Sequence, residues 1–207
     1  MKILPPVLWA HIPAISSRLT ARHKALTPPL LIISLPRSGS SWVGQILGLS
    51  DTSLYLREPI TQEYLRSQPP GALSFFEFTS EEDPYIYQTF GDQAFNGTPS
   101  FDASVVVFPA QWRPSRRKCR RVVIKEVNPL VLKWYAERYR PRVIYLIRHP
   151  AAVANSFEKM GWTSVSLRER MSERANESFP GDASFWVQHA ALQAITLERS
   201  LDIPLVL

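Results

Sequence analysis

Five short apolar runs, each bounded by turn residues, do most to constrain what this chain can fold into. Most of them are continuous rather than alternating, which is typical of strands buried on both faces of a sheet. They lie at Leu30–Leu35, Ser53–Leu56, Val122–Val127, Val143–Ile147 and Ile203–Leu207. The pattern therefore predicts a central parallel sheet of about five strands.

Helical patterns separate these runs. Apolar residues recur at helical spacing in roughly Ser41–Leu49, Thr61–Ser67, Pro129–Tyr139, Pro150–Met160 and Ala183–Ser200. Strand and helix thus alternate along the chain, which predicts an open α/β fold. In such folds ligands bind beyond the carboxyl ends of the strands, so the residues at those ends are the candidates for function.

The length of the chain predicts one domain over residues 1–207, because 207 residues are enough to bury one sizeable core. Residues 1–28 are expected to be an N-terminal extension, and residues 68–121 an irregular insertion that ends in a basic loop. The aromatic part of the insertion, from about Gln68 to Ser100, is either a lid or binding loop or a plain packed excursion. Ile203–Leu207 resembles the start of a further strand, which leaves a complete and a truncated domain both open.

The N-terminal stretch and the cysteine content indicate a chain that is not exported. Pro5, Pro6 and His11 interrupt the apolar N-terminus, which therefore has neither the core of a signal peptide nor the length of a membrane span. Cys119 is the only cysteine, so an intrachain disulfide and a cysteine-built metal site are excluded. We expect a cytoplasmic protein without a membrane span.

The positive charge of the chain is concentrated in one segment. Six cations within nine residues account for the whole formal charge of +6: Arg113, Arg116, Arg117, Lys118, Arg120 and Arg121. Such a segment is either a solvated basic loop or a surface that binds an acidic polymer. Because no aromatic residue lies between Arg113 and Arg121 to stack on bases, no specific nucleic-acid partner is expected.

The first predicted strand runs directly into a short polar loop and a helix. The sequence there is Leu35-Pro36-Arg37-Ser38-Gly39-Ser40-Ser41-Trp42. A loop of this kind directs backbone amides and a positive helix end at an anion, and Gly39 allows close approach. A tight polar turn without a ligand is the alternative. The loop lacks the lysine and the glycine spacing of a Walker A motif, so a nucleoside triphosphatase is disfavoured.

This loop resembles the phosphosulfate-binding loop of the sulfotransferase superfamily. That loop has a Pro, a basic residue, Ser, Gly, two hydroxyl residues and Trp, and all are matched between Pro36 and Trp42. The segment from Val143 to Ser156 is similar to the family's 3′-phosphate site, where an Arg at a strand end precedes a Ser by eight residues. Arg148 and Ser156 have that spacing, although an Arg-X-Pro strand end by itself is more often structural. The resemblance implies a P-loop-like three-layer α/β/α fold.

Two further strand ends carry charged residues. Glu58-Pro59 resembles the carbohydrate and protein-tyrosine branches of the superfamily, which implies that Glu58 is the catalytic base. An exposed helix-start carboxylate is the alternative. Lys125 interrupts an apolar run and needs an anionic partner. The resemblance implies a lysine near the active site, and a salt bridge to a neighbour such as Glu126 is the alternative.

The resemblance also implies an activity. The enzyme would transfer a sulfuryl group from 3′-phosphoadenosine-5′-phosphosulfate to a hydroxyl acceptor, with a sugar among the candidates, and no metal would be required. Ser38, Gly39, Ser40 and Ser41 would hold the 5′-phosphate and Trp42 would contact the adenine. Arg37, with Lys125, would stabilise the leaving oxygen. Arg148 and Ser156 would bind the 3′-phosphate.

Two other functions remain open on the sequence. The first is a nucleotide phosphotransferase on a similar fold, which would need Mg²⁺ and a Walker lysine. The second is a non-catalytic anion- or polysaccharide-binding module that uses the basic segment Arg113–Arg121. The chain also departs from the cytosolic small-molecule members of the superfamily, because it has no late Arg-Lys-Gly segment.

Overall fold

The protein is built around a parallel sheet. In this computed structural model the described residues are 12–67, 84–98, 104–162 and 187–194. Their strands are β1 (Leu26–Ser34), β2 (Ser53–Arg57), β3 (Arg121–Glu126) and β4 (Arg142–Leu146). All pairings are parallel and the strand order is β2-β3-β1-β4. Parallel neighbours need crossover connections, and helices of the chain supply them.

Six α-helices with both ends described lie around this sheet. They are α1 (Pro13–Arg22), α2 (Ser40–Gly48), α3 (Pro59–Ser67), α4 (Pro84–Phe95), α5 (Leu132–Tyr139) and α6 (Pro150–Glu158). Residues 187–194 are also helical. Short 3₁₀ turns lie at Pro109–Trp112, Pro114–Cys119 and Pro129–Val131. Proline opens four of the six α-helices, where its fixed φ suits the first turn and its missing N–H costs nothing.

The strands β2 and β3 and the second half of β1 are buried, which explains their continuous apolar runs, whereas β4 at the edge of the sheet is partly exposed. Successive side chains of a strand point to opposite faces, so Ile32 and Ile33 of β1 join different clusters although both are fully buried. Ile33 packs with Ile124 on the face that carries α3, α4 and α5. Ile32 packs with Tyr55 on the face that carries α2. Each such side chain contributes about 1.5–3 kcal/mol by burial.

Helix α2 lies unusually close to β2. A Cβ added at Gly44 would lie 2.5 Å from the Tyr55 hydroxyl oxygen, and one added at Gly48 would lie 2.6 Å from Tyr55 Cγ. Glycine at both positions therefore lets the helix backbone rest directly on the tyrosine ring. This contact fixes α2, and with it the polar loop that precedes the helix.

The sheet is smaller than the sequence predicts. It has four strands in the described part of the chain, not about five. The fifth predicted strand, Ile203–Leu207, lies outside the described residues, as do the two ends of the predicted helix Ala183–Ser200. Residues 68–121 contain α4 and two 3₁₀ turns where they are described, and residues 1–28 contain α1 and the start of β1.

The basic segment is partly an internal element of the fold. Arg117 is fully buried, and its guanidinium donates hydrogen bonds of 2.6–3.0 Å to the carbonyls of His23, Asn96 and Gly97. Arg120 and Arg121 also donate to backbone carbonyls. Three of the six cations therefore hold the chain together. Arg113, Arg116 and Lys118 are exposed, so half of the segment is available to an acidic polymer.

Candidate functional site

The loop between β1 and α2 borders open space at the sheet edge. The helical hydrogen-bond ladder begins with the Trp42 amide, which donates to the Gly39 carbonyl over 3.0 Å. The amides of Gly39, Ser40 and Ser41 precede that ladder, at the positive end of the helix. Gly39 has φ of 94°, and a Cβ built on it meets no atom within 4 Å. The loop therefore combines free space with backbone donors, as anion sites do.

The hydroxyl groups of the loop do not all face the same space. Ser40 is buried and its Oγ accepts a 2.7 Å hydrogen bond from Ser34 Oγ, which leaves its own proton able to donate. Ser41 lines the main pocket at the sheet edge. Ser38 lines a separate small cavity with Leu35 and Tyr145. The structure thus places Ser40 and Ser41 at the pocket and turns Ser38 toward β4.

Two arginines and a serine connect the predicted half-sites. Arg37 Nε donates to Ser156 Oγ of α6 over 2.9 Å, and Arg148 Nη1 donates to the Arg37 carbonyl over 2.9 Å. Gln193 Nε2 donates a 2.8 Å hydrogen bond to the backbone carbonyl of Arg148. The structure therefore brings Arg37, Arg148 and Ser156 together, with Arg37 between the other two. Two arginine side chains in one hydrogen-bonded chain give this edge the positive charge that an anion site needs.

Arg37 occupies a left-handed backbone conformation with φ of 68°. This conformation costs about 1–2 kcal/mol for a residue with a Cβ. The hydrogen bonds that Arg37 makes to Ser156 and receives from Arg148 offset part of that cost. Non-glycine residues in this region cluster at functional sites.

Glu58 and Lys125 form an ion pair at the ends of β2 and β3. Lys125 Nζ contacts Glu58 Oε1, and the lysine side chain is 2% exposed while that of Glu58 is 20% exposed. Glu58 also has a left-handed backbone, with φ of 51°, and its amide donates to the Lys125 carbonyl over 2.6 Å. Lys125 therefore pairs with Glu58 and not with Glu126, the neighbour that the sequence suggested as an alternative partner. A nearly buried ammonium needs such a partner.

Glu126 is a buried carboxyl that sequence reasoning did not assign to the site. It is 1% exposed and accepts hydrogen bonds from the Ile60 amide over 2.8 Å and the Thr61 hydroxyl over 2.5 Å. Burial raises the pKa of Glu126 to about 7, although both hydrogen bonds oppose the shift. The sequence did contain a signal for Glu126, because an ionisable residue inside the apolar run Val122–Val127 needs a polar partner.

The two arginines, the Glu58–Lys125 pair and the Ser40–Ser41 end of the loop border one pocket of about 380 Å³, a size that suits a small ligand. Residues from the ends of all four strands line it: Pro36, Arg37, Gly39, Ser40, Ser41, Trp42, Glu58, Lys125, Val127, Arg148 and Trp162. Trp42 is 69% exposed at the rim. Trp162, which the sequence analysis did not identify, packs edge-on against Phe157 with ring centroids 4.8 Å apart. Two indoles thus border a cationic pocket.

Comparisons of the chain with protein-family models, curated proteins and solved structures give no match. None of the helices in the described part of the chain has the length and apolar character needed to cross a membrane. The same residues contain no group of three or more His, Cys, Asp and Glu side chains that could hold a metal ion. The pocket itself offers backbone amides, hydroxyls, two arginines and a Lys–Glu pair.

Proposed function

We propose that this protein is a sulfotransferase with a P-loop-like α/β/α fold that uses 3′-phosphoadenosine-5′-phosphosulfate as donor and a hydroxyl compound as acceptor. The observation that carries the proposal is the hydrogen-bonded chain from Ser156 through Arg37 to Arg148. It joins the two segments whose motifs match the donor site. The ion pair of Glu58 and Lys125 borders the same pocket.

The donor would bind along the edge formed by β1 and β4. The amides of Gly39, Ser40 and Ser41 suit the 5′-phosphate, since helix N-termini bind phosphate groups. Arg148 and Ser156 suit the 3′-phosphate, which would replace Arg37 as the hydrogen-bond partner of the Ser156 hydroxyl. Trp42 is exposed at the rim and presents an indole face for the adenine. The Ser38 side chain has no part in this arrangement.

The chemical step would need a base and charge stabilisation. The acceptor oxygen attacks sulfur, a new S–O bond forms, and the bond from sulfur to the bridging phosphate oxygen breaks. The leaving group is 3′-phosphoadenosine 5′-phosphate, and the acceptor proton passes to Glu58. Lys125, beside Glu58 at the pocket, and Arg37 offset the charge that develops on the leaving oxygen. Positioning and electrostatic stabilisation supply most of the rate in such transfers.

Nucleotide binding tests the donor site. Calorimetry would compare 3′-phosphoadenosine 5′-phosphate with adenosine 5′-phosphate, which lacks the 3′-phosphate. The wild-type protein should prefer the first, and Arg148→Ala should remove most of that preference, about 10- to 100-fold in affinity, because a charged hydrogen bond is lost. Arg113→Ala, at an exposed arginine of the basic segment, is the matched control. A preference that survives in Arg148→Ala contradicts the assignment.

Turnover tests the base. With labelled donor and a panel of sugar, phenol, alcohol and peptide acceptors, Glu58→Gln should lower kcat by about 10²–10⁴-fold. Its affinity for 3′-phosphoadenosine 5′-phosphate should stay close to that of the wild-type protein. Unchanged turnover in Glu58→Gln rules out this base. ATP with Mg²⁺ belongs in the donor panel, since transfer from ATP would indicate a phosphotransferase instead.

A further inference from the structure

The first amide of helix α3 does not donate to the side chain of the residue that precedes the helix, as first-turn amides usually do. Glu58 is the residue before Pro59, and the first residue of the helix, Pro59, has no N–H. The residue that precedes a helix usually accepts a hydrogen bond from the second or third amide of that helix. Here the Ile60 amide donates to Glu126 of β3 instead, over 2.8 Å. The Thr61 hydroxyl also donates a hydrogen bond to the Glu126 carboxyl.

Glu126 therefore takes the capping role, and the Glu58 carboxylate is used elsewhere. Glu58 Oε1 contacts Lys125 Nζ, and Glu58 Oε2 accepts from Gln62 Nε2 over 3.3 Å. The Glu58 backbone is fixed from the same strand, because its amide donates to the Lys125 carbonyl. Two consecutive residues of β3 thus determine the position of one side chain at the end of β2.

The charged and titratable groups around Glu126 come from several elements. Lys125 and Glu58 lie on the pocket side, and Tyr55 and Tyr135 lie close enough to interact electrostatically with the carboxyl. Burial raises the pKa of Glu126 to about 7. Its hydrogen bonds can persist when it is protonated, since a carboxylic acid can donate to the Thr61 oxygen and still accept from the Ile60 amide. Glutamine has the same capability and nearly the same shape.

We propose that Glu126 is a positioning residue: by capping α3 from the neighbouring strand, it relieves the Glu58 carboxylate of that role and so keeps it paired with Lys125 at the pocket. The inference rests on the proposed function, in which Glu58 is the base. It goes beyond that function because Glu126 touches no substrate and acts only through Glu58. Small displacements of a catalytic group are costly, about 10²-fold in rate for 1 Å.

Three variants and one control test the inference. Glu126→Ala removes both hydrogen bonds, Thr61→Val removes one and is the milder change, and Glu126→Gln retains the cap. Ser53→Ala is the control, because it removes a partly buried 2.9 Å hydrogen bond to the Leu47 carbonyl at the other end of β2. The measurements are kcat, the affinity for 3′-phosphoadenosine 5′-phosphate, and hydrogen exchange of the Ile60 amide.

Glu126→Ala should lower kcat by about 10- to 100-fold while nucleotide affinity stays within about threefold of wild type, and the Ile60 amide should exchange faster. Thr61→Val should fall between Glu126→Ala and wild type in kcat. Glu126→Gln should restore most of the activity, and Ser53→Ala should leave kcat of the folded protein unchanged. A kcat for folded Glu126→Ala or Thr61→Val that matches Ser53→Ala overturns the inference, because Glu126 would then be only structural.

The proposed function can fail separately. If the wild-type protein transfers no sulfuryl group to any acceptor, the base assignment fails, and the geometric part is decided by nitrogen-15 NMR of the Lys125 ammonium. Pairing with Glu58 slows exchange of the ammonium protons. Loss of that protected signal in Thr61→Val and its retention in Glu126→Gln support the positioning of Glu58 by Glu126. A signal retained in all variants overturns it.

Discussion

Replacing Glu126 with glutamine should change how the free energy of unfolding depends on pH. Burial raises the pKa of Glu126 from its ordinary value of 4.5 to about 7. Between these values the folded protein holds a proton that the unfolded chain has released. The contribution of Glu126 to stability is therefore fully present below about pH 4.5 and is lost as the pH rises through about 7. Glutamine has no such proton, so this dependence disappears in Glu126→Gln.

The size of the effect follows from the two pKa values. Between pH 5 and pH 8 the Glu126 contribution falls by about 2–3 kcal/mol. His189 acts in the opposite direction, because burial lowers its pKa to about 4 and its contribution rises by about 2 kcal/mol over the same range. These two contributions nearly cancel in the wild-type protein. Of these two contributions, Glu126→Gln keeps only that of His189, so the variant should gain stability relative to wild type as the pH rises.

Urea unfolding followed by tryptophan fluorescence at pH 5 and pH 8 measures this difference. Any pH-independent cost of placing an amide in the site cancels when each protein is compared with itself. Glu137→Gln, at an exposed carboxyl of α5, should reproduce the wild-type pH dependence. If the change between pH 5 and pH 8 agrees in Glu126→Gln and wild type within about 0.5 kcal/mol, the scatter of a neutral surface change, the reasoning from burial is refuted.

Two further predictions concern packing and buried charge. Gly44→Ala and Gly48→Ala should each destabilise the protein by about 1–3 kcal/mol through overpacking. In a Tyr55→Phe background the cost of Gly44→Ala should shrink, because a Cβ at Gly44 meets the Tyr55 hydroxyl. The cost of Gly48→Ala should persist, because a Cβ there meets the ring carbon Cγ. Arg117→Met should lower the free energy of unfolding in urea by about 3 kcal/mol or more, because three carbonyls lose their donor. Arg113→Met, at an exposed arginine, should lower it by no more than about 0.5 kcal/mol. Equal costs would contradict the structural role of Arg117.

Much of the sheet could be predicted because its strands are rich in apolar residues, continuously so in β2, β3 and the second half of β1, which are buried on both faces. The four apolar runs inside the described residues each became a strand, with ends displaced by at most four residues. The largest displacement is in β1, which begins at Leu26 rather than Leu30. Pro28 and Pro29 indicate a turn in sequence, but the pairing with β3 shifts register between Leu26 and Leu30, and this irregularity accommodates them.

The candidate site could be located from the sequence more easily than its contacts could. Residues at the strand ends were identifiable because parallel strands bring their carboxyl ends to one edge. The partner of Lys125 was not, since it depends on β2 lying beside β3, which no local pattern encodes. The same holds for Glu126, whose hydrogen-bond partners Ile60 and Thr61 lie more than 60 positions away in the chain.

The left-handed backbones of Arg37 and Glu58 have a consequence for engineering. Arg140, at the end of α5, is also left-handed, and glycine there should relieve about 1 kcal/mol of backbone cost without touching the pocket. A thermostabilising search that ranks positions by φ alone would select Arg37 and Glu58 together with Arg140. At the first two, the substitution that relaxes the backbone also deletes the side chain that faces the pocket. Resistance to heat and capacity for chemistry therefore compete at these two positions and not at the third.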